Sequence, residues 1–184
     1  MDVSELVNIT SRAWSLPILS LMSSGLPGRQ APLRAATGAS RTAFGQSMKH
    51  LIEIGLLERN PGHGHPLRPE YRLTKRGAEA ANLANRIQTA AGDEGFVLLR
   101  RSWTLPILTS LRKPRYFNDL KRDLSTITDR ALSISLKSME GRYWVRRKVD
   151  DGARPPRSLY QATNVGREIS RVAADAVSLG WGQS

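Results

Sequence analysis

Two stretches of the sequence carry side chains whose types suit the edges of DNA bases. Each stretch opens with a small hydroxyl residue, Ser40 or Thr128, and continues with cationic, amide and hydroxyl side chains. Guanidinium and ammonium groups donate hydrogen bonds to guanine O6 and N7, and the glutamine amide pairs with adenine. The N-terminus of a capped helix adds backbone N–H donors for a phosphate group. For each of these residues, the alternative to contact with DNA is a place on a polar helix face that contacts only solvent. The residues predicted here to face DNA are Ser40, Arg41, Thr42, Gln46, Lys49, Thr128, Arg130, Ser133 and Lys137.

Three arginines stand beside prolines in segments rich in turn residues. They are Arg68, Arg154 and Arg157. At the tip of a hairpin, arginine suits insertion toward a minor groove or a track of phosphates. The alternative is that these arginines only make the protein surface soluble. We predict that all three contact DNA.

The remaining candidate residues do not indicate a catalytic site. His63 and His65 are a histidine pair for which the sequence offers no third metal ligand. Trp14 and Trp103 occupy equivalent helical positions and are interpreted as core packing, with a role in ligand binding as the alternative. The sequence contains no Gly-rich phosphate loop, no Gly-x-Ser-x-Gly and no carboxylates paired at useful spacing. We therefore predict that the protein is not an enzyme and has no cofactor and no metal site.

The charge balance favours a polyanionic partner. The 184 residues include 28 Lys+Arg and 16 Asp+Glu, which gives a net charge of +12 and a pI near 11.0. Of the 28 cations, 22 are arginine, whose planar fork matches phosphate and guanine. The absence of cysteine excludes disulfides and thiol chemistry. Pro17 and Ser20 interrupt the apolar stretch at 16–22, so we predict no signal peptide, no membrane span and a cytoplasmic location.

An internal repeat defines the organisation of the chain. The residues RAWSLPIL at 12–19 recur 89 positions later as RSWTLPIL at 101–108, with six of the eight identical. The correspondence continues at offsets of 88 and 89 through the rest of each half. Two units of about 90 residues imply a duplication and two small cores that lean on each other. We expect the boundary within 90–95, which divides the chain into domains at 1–92 and 93–184.

Apolar spacing and chain-breaking residues predict similar elements in both units. Ser40 and Thr128 suit helix N-caps, Gly55 suits a helix end, and Pro17 marks either a kink or a helix start. The elements predicted for the first unit are helices over 7–22, 30–36 and 41–54 and strands over 56–59 and 71–73. Those predicted for the second unit are helices over 115–124 and 129–140 and strands over 144–149 and 159–162, with a hairpin tip at 150–157.

The order of these elements predicts the fold class. Two helices joined by a turn of three or four residues, the second with one buried and one polar stripe, form a helix-turn-helix, and the hairpin that follows makes it winged. The predicted buried stripes are Phe44, Met48 and Leu51 in the first unit and Leu132, Leu136 and Met139 in the second. We predict a mainly α fold with small β-hairpin wings, built as tandem winged helix-turn-helix domains that form a pseudo-dimer.

Motifs in both units resemble one known family. The second unit carries Trp103, an Ile-Leu pair at 107–108, RYFNDL at 115–120, ITDR at 127–130, the pairs Leu-Ser, Leu-Lys and Met-Glu at 132–133, 136–137 and 139–140, and Pro156-Arg157 ahead of Tyr160. The first unit carries GLLER at 55–59 and PLRPEYRLTKRG at 66–77. Together these motifs resemble the HxlR-type winged-helix transcriptional regulators, and the resemblance covers most of the chain.

The departures from that pattern make the two units unlike each other. The first unit has RQAPL at 29–33 where the family has an Arg-Phe helix, and it places Gly45 inside its recognition helix. The second has Tyr143 in place of Gly55. Family members usually carry one such domain and act as homodimers, so the resemblance implies a covalent pseudo-dimer here and leaves further homodimerisation open. Because the recognition helices differ, we predict an asymmetric operator with half-sites about one helical turn apart.

The sequence predicts a transcriptional regulator that binds double-stranded promoter DNA sequence-specifically, through two unlike recognition helices and basic wings. A small-molecule effector is left open. The alternative is a small-molecule binding or sequestering protein with an aromatic cavity between the units, to which Trp14 and Trp103 would contribute. A DNA-acting enzyme that uses His63 or His65 is a third hypothesis, disfavoured because no catalytic motif accompanies them.

Overall fold

Each half of the chain folds as a helix-turn-helix followed by an antiparallel hairpin. The computed structural model describes residues 2–60 and 70–178. The described part is mainly helical with two small antiparallel sheets, so the predicted fold class is confirmed. The elements of the first half are α1 (Val3–Thr10), α2 (Ser15–Ser23), α3 (Gln30–Thr37), α4 (Arg41–Glu53), β1 (Leu57–Asn60), β2 (Glu70–Leu73) and α5 (Lys75–Leu99). Those of the second half are α6 (Thr104–Ser110), β3 (Arg115–Tyr116), α7 (Phe117–Asp123), α8 (Asp129–Glu140), β4 (Val145–Asp150), β5 (Arg157–Ala162) and α9 (Asn164–Ser178).

The second helix of each helix-turn-helix begins and packs as the sequence predicts. The Ser40 hydroxyl accepts a hydrogen bond from the Ala43 amide at 3.3 Å, and the Thr128 hydroxyl accepts one from the Ala131 amide at 3.1 Å. Both predicted N-caps are therefore confirmed. All members of the two predicted apolar stripes are buried, namely Phe44, Met48 and Leu51 on α4 and Leu132, Leu136 and Met139 on α8.

Both helices lead into their wings through a residue in the left-handed conformation. Gly55, after α4, has a φ of 73°, and Tyr143, after α8, has a φ of 58°. Glycine adopts this conformation without steric cost, whereas the Cβ of tyrosine resists it. The second unit therefore keeps the same turn with a less favourable residue, and the Tyr143 side chain is left 75% exposed.

Two of the predicted helices are wrong. The single helix predicted over 7–22 is two helices, α1 and α2, because the chain turns between them, and Pro17 lies in the first turn of α2, where its missing N–H costs nothing. The helix predicted over 115–124 begins only at Phe117. Arg115 and Tyr116 are instead a short strand paired with Tyr160 and Leu159 of β5.

The two units share one apolar core. Helix α1 packs against α6 of the second half, and α5 packs against both α2 and α9. The helical path of α5 is interrupted at Gly92, whose φ of 62° and ψ of −178° are not helical. Beyond that break, in the segment that the predicted boundary assigns to the second unit, Gly95 packs against Trp144 of the same unit, and a Cβ would come within 2.8 Å of the indole ring. The packing of α1 against α6 therefore ties the halves together in addition to the chain connection.

The described part of the chain shows no membrane-crossing element. Over residues 2–60 and 70–178, every helix is too short or too polar to span a bilayer.

Replacing Gly45 with alanine is expected to stabilise the protein by about 0.5 to 1 kcal/mol. Gly45 lies in the middle of α4, and a Cβ built on it meets no atom within 4 Å. Alanine therefore gains helix propensity without a steric penalty, and urea denaturation followed by tryptophan fluorescence measures the difference. A loss of stability in the Gly45→Ala variant would mean that the site is more crowded than the geometry indicates.

Candidate nucleic-acid interface

Helix α4 presents a polar face on the side opposite its buried stripe. We define the α4 face as Thr42, Gly45, Gln46 and Lys49, which recur with helical spacing. The side chains of Thr42, Gln46 and Lys49 are exposed, as are Ser40 and Arg41 at the N-terminus of the helix. Lys49 Nζ lies 3.6 Å from Glu53 Oε1, an exposed pair of the kind that contributes little to stability. The ammonium group of Lys49 therefore remains accessible to an anionic partner.

Helix α8 presents the corresponding face in the second unit. We define the α8 face as Arg130, Ser133, Ile134 and Lys137, all of which are exposed. The first-turn carboxylate of Asp129 is paired with Lys121 of α7. In the described part of the chain, Arg130 forms no ion pair with a carboxylate. Its guanidinium is free to project outward from the first turn of the helix.

Counting from the two N-caps shows that the faces are equivalent in position and different in chemistry. Ser40 and Thr128 both occupy the cap, so residues 88 positions apart are equivalent along the two helices. Only the lysines coincide in type. The equivalent pairs on the two faces are Thr42 and Arg130, Gly45 and Ser133, Gln46 and Ile134, and Lys49 and Lys137.

One exposed residue of the α8 face was missed by the sequence reasoning. Ile134 is 52% exposed and lies between Arg130 and Lys137 on the same side of the helix. Isoleucine on an amphipathic helix is more often buried than exposed, so the residue type alone does not indicate this position. Its spacing of four from Arg130 and three from Lys137 is a signal that could have placed it on the outer face.

The wing of the second unit brings a compact group of polar side chains together where its two strands meet the tip. The Tyr116 hydroxyl donates a hydrogen bond to Asp150 Oδ2 at 2.5 Å, and the Arg157 guanidinium carbon lies 5.6 Å from the centre of the Tyr116 ring. Arg157 pairs with Asp150 as the first residue of β5, so its predicted place in the hairpin tip is wrong. Arg154 does lie in the tip and is exposed. Strand β4 adds exposed cations that the sequence reasoning did not select, namely Arg146, Arg147 and Lys148.

Three residues that the sequence analysis considered belong to the segment at 61–69. Arg68, His63 and His65 lie outside the described residues. The predicted contact of Arg68 with DNA therefore stays a prediction. Across residues 2–60 and 70–178, no group of three histidine, aspartate or glutamate side chains is arranged to hold a metal ion.

The two tryptophans at equivalent positions have different neighbours. Trp14 is half-buried, with the Arg100 guanidinium 4.5 Å above its ring and the Phe96 ring 6.0 Å away. Trp103 is half-buried against the common core. A cavity of about 370 Å³ lies among α1, α4 and α5, and its lining includes Ile9, Leu56 and Arg76 but neither tryptophan. A ligand-binding role for Trp14 and Trp103 therefore stays a prediction.

A hydrogen bond from the Tyr116 hydroxyl lowers the pKa of Asp150. This hydrogen bond, together with one from the Gly152 amide, holds the pKa of Asp150 below its ordinary value, and the same hydrogen bond raises the pKa of Tyr116. A lowered carboxylate pKa stabilises the folded state at pH values above the ordinary aspartate range. That stabilisation is lost as the pH falls through the lowered pKa.

The variant Tyr116→Phe is therefore expected to lose stability at about pH 7 and to approach the wild type at about pH 3. Urea denaturation of both proteins at the two pH values measures this change. Tyr143→Phe is the matched control, because Tyr143 is exposed and its ring carries the same hydroxyl. A deficit of Tyr116→Phe that stayed constant with pH would show that the hydrogen bond does not depend on the Asp150 charge.

Comparisons with known proteins identify two matched segments. Residues 9–93 and residues 98–183 each match the family model described as HxlR-like helix-turn-helix. Similar solved structures include a protein from Porphyromonas gingivalis W83 described as a MarR-family transcriptional regulator, which is 23% identical over 47% of this chain and 84% of that chain, with a TM-score of 0.42. Another is the reduced form of the transcriptional regulator YodB from B. subtilis, which is 24% identical over the same shares, with a TM-score of 0.41. A comparison with curated proteins found no match.

Proposed function

Because the chain belongs to the HxlR-like helix-turn-helix family, with two copies of the domain in tandem, we propose that it regulates transcription by binding promoter DNA sequence-specifically. The two recognition helices are α4 and α8. Membership in a family of DNA-binding regulators is consistent with a protein that is not an enzyme. The observation that carries the proposal is the pair of capped helices, each with one face buried in the core and the opposite face exposed and mainly polar.

The recognition helices would read base edges in successive major grooves. On α4, the Gln46 amide would form two hydrogen bonds with adenine N6 and N7. On α8, the Arg130 guanidinium would donate two hydrogen bonds to guanine O6 and N7. Thr42, Lys49, Ser133 and Lys137 complete the proposed contacts of the two faces, and Arg41 adds one at the N-terminus of α4. The first turns of both helices, with Ser40 and Thr128 as caps, would place backbone N–H groups near phosphate.

The wings would supply affinity that depends on salt and little on sequence. Arg154 in the exposed tip, Arg157 at its base and Arg68 in the first unit are the proposed wing contacts. A net charge of +12 supports a strong attraction to the phosphate backbone. Counterion release would make this part of the binding free energy fall steeply as the salt concentration rises.

The two unlike faces favour an operator without inverted symmetry. A symmetric homodimer presents the same side chains to both half-sites, whereas this chain would present Thr42 and Gln46 to one and Arg130 and Ile134 to the other. We assign the units to domains at 1–92 and 93–184, with the break at Gly92 supporting the boundary. The half-sites would lie about one helical turn of DNA apart.

The test compares specific with general DNA binding. Fluorescence anisotropy would measure the affinity of the full chain for duplex from upstream of its own gene and for random duplex across a salt series. The proposal expects the upstream duplex to stay bound at salt concentrations that release the random one. Footprinting would then show two adjacent, unlike half-sites.

Equal affinities for the two duplexes, followed by failure to select any preferred sequence from a random library, would overturn the proposal. Binding would then reflect charge alone. Stoichiometric quenching of tryptophan fluorescence by a small molecule in the absence of DNA would instead favour the ligand-binding alternative.

A further inference from the structure

The α8 face holds one apolar side chain where the rest of the face is polar. Ile134 is 52% exposed and is the only exposed apolar side chain of α8, all of whose residues are described. Scattered exposed isoleucines are common on protein surfaces and need no explanation by themselves. The place of Ile134 is what makes it informative, because it follows Arg130 by four residues and precedes Lys137 by three.

The position of Ile134 on the helix excludes a role in the core. The inward stripe of α8 consists of Leu132, Leu136 and Met139, whose exposed fractions are 0%, 1% and 0%. Successive residues of a helix turn by about 100°, so Ile134 points to the side opposite that stripe. The packing of this unit is therefore complete without the Ile134 side chain.

We infer that Ile134 is a specificity-determining residue that contacts the C5 methyl group of a thymine in the half-site of α8. The inference rests on the proposed function, since it requires the α8 face to enter the major groove. Thymine is the base that presents an apolar group in that groove, and aliphatic side chains recognise it by contact with the methyl. At the equivalent position of α4 stands Gln46, which matches adenine instead.

The helix geometry restricts which thymine is read. Four residues of an α-helix rise by about 6 Å, which is close to the rise of two base pairs. A guanine bound by Arg130 and the thymine bound by Ile134 therefore lie within about two base pairs of each other. Thr42 and Gln46 stand at the equivalent positions of α4. The half-site of α4 therefore does not require a thymine within two base pairs of a guanine.

The test removes one methyl group from the DNA. The preferred duplex of the full chain is first selected from a random library, and each of its thymines is then replaced singly by deoxyuridine, which lacks only the C5 methyl. Wild-type protein is expected to lose about fourfold in affinity at one thymine, the effect of one buried methyl group. The Ile134→Ala variant is expected to bind the thymine and deoxyuridine duplexes equally.

Two controls separate this inference from its premise. Gln46→Ala is expected to retain the full preference for thymine over deoxyuridine, and thermal unfolding checks that Ile134→Ala stays folded. If no preferred duplex can be selected, the proposed function fails. If a preferred duplex is found but no thymine is sensitive to loss of its methyl, or the sensitivity persists in Ile134→Ala, the role of Ile134 is overturned while the proposed function stands.

Discussion

Replacing Arg130 with alanine is expected to weaken binding to the preferred duplex about tenfold to a hundredfold. Arg130 is exposed in the first turn of α8, and within the described residues it forms no ion pair with a carboxylate. A bidentate contact to guanine can therefore form without breaking an interaction of the free protein. Removing the side chain leaves the guanine edge without its donors, and fluorescence anisotropy measures the loss.

Two further variants distinguish base recognition from general charge. Arg130→Lys keeps the charge but loses the planar fork, so it is expected to recover only a small part of the affinity for the preferred duplex. Arg86→Ala removes one exposed arginine from α5, outside both recognition faces, and is expected to reduce binding only slightly. Equal losses in the Arg130→Ala and Arg86→Ala variants would show that α8 contributes charge rather than base recognition.

The effect of Arg130→Ala is expected to be confined to one half-site. Thr42 stands at the equivalent position of α4 and can form at most a weaker contact with a base. Base substitutions in the half-site of α8 are therefore expected to have little further effect in Arg130→Ala, while substitutions in the other half-site keep their full effect. This difference follows from two recognition helices of unlike composition within one chain.

Local sequence patterns were sufficient to predict α4 and α8, the second helices of the two helix-turn-helix motifs. The bounds of α8, Asp129–Glu140, match the prediction because the Thr128 cap and the apolar spacing of Leu132, Leu136 and Met139 are all contained within the helix. The outer faces follow from the same periodicity. Ile134 is the exception, because its apolar side chain is typical of a core residue while its position places it on the outer face.

Features that depend on distant partners were not predictable in this way. Strand β3 has only two residues, and it exists because Arg115 and Tyr116 pair with Tyr160 and Leu159, more than 40 positions away. Arg157 likewise belongs to a strand because its partner is Asp150. A short segment carries little propensity of its own, so pairing decides its conformation.

The contacts between the two units are another feature that depends on residues far apart in the sequence. Helix α1 packs on α6 of the other unit as well as on α2 of its own, and the Thr10 hydroxyl donates a hydrogen bond to the Ser102 carbonyl at 2.7 Å. In return, the segment of α5 beyond Gly92 supplies Phe96, which contacts Trp14 of the first unit. The distance between α4 and α8 therefore depends on side chains that each unit packs against the other.

The variants Gly77→Ala and Gly166→Ala are each expected to destabilise the protein by about 3 kcal/mol. A Cβ on Gly77 would lie 1.8 Å from the Leu56 carbonyl oxygen, and one on Gly166 would lie 2.1 Å from the Trp144 carbonyl oxygen. These oxygens are parts of the backbone and cannot move aside as a flexible side chain can. Each also accepts a hydrogen bond that joins the wing to the following helix, from the amide of Thr74 or Thr163.

The two glycines are equivalent positions of the repeat, so the same close approach is built into both units. Urea denaturation followed by tryptophan fluorescence measures the loss, and Gly141→Ala is the matched control. A Cβ on Gly141 would come no closer than 3.6 Å to another atom, which is an ordinary contact, so that variant is expected to change stability by less than about 0.5 kcal/mol. Equal stabilities of the Gly77→Ala, Gly166→Ala and Gly141→Ala variants would mean that the contact between helix and wing can relax. Because each of these carbonyls also accepts the hydrogen bond from Thr74 or Thr163, such relaxation would loosen the connection between each wing and the helix that follows it.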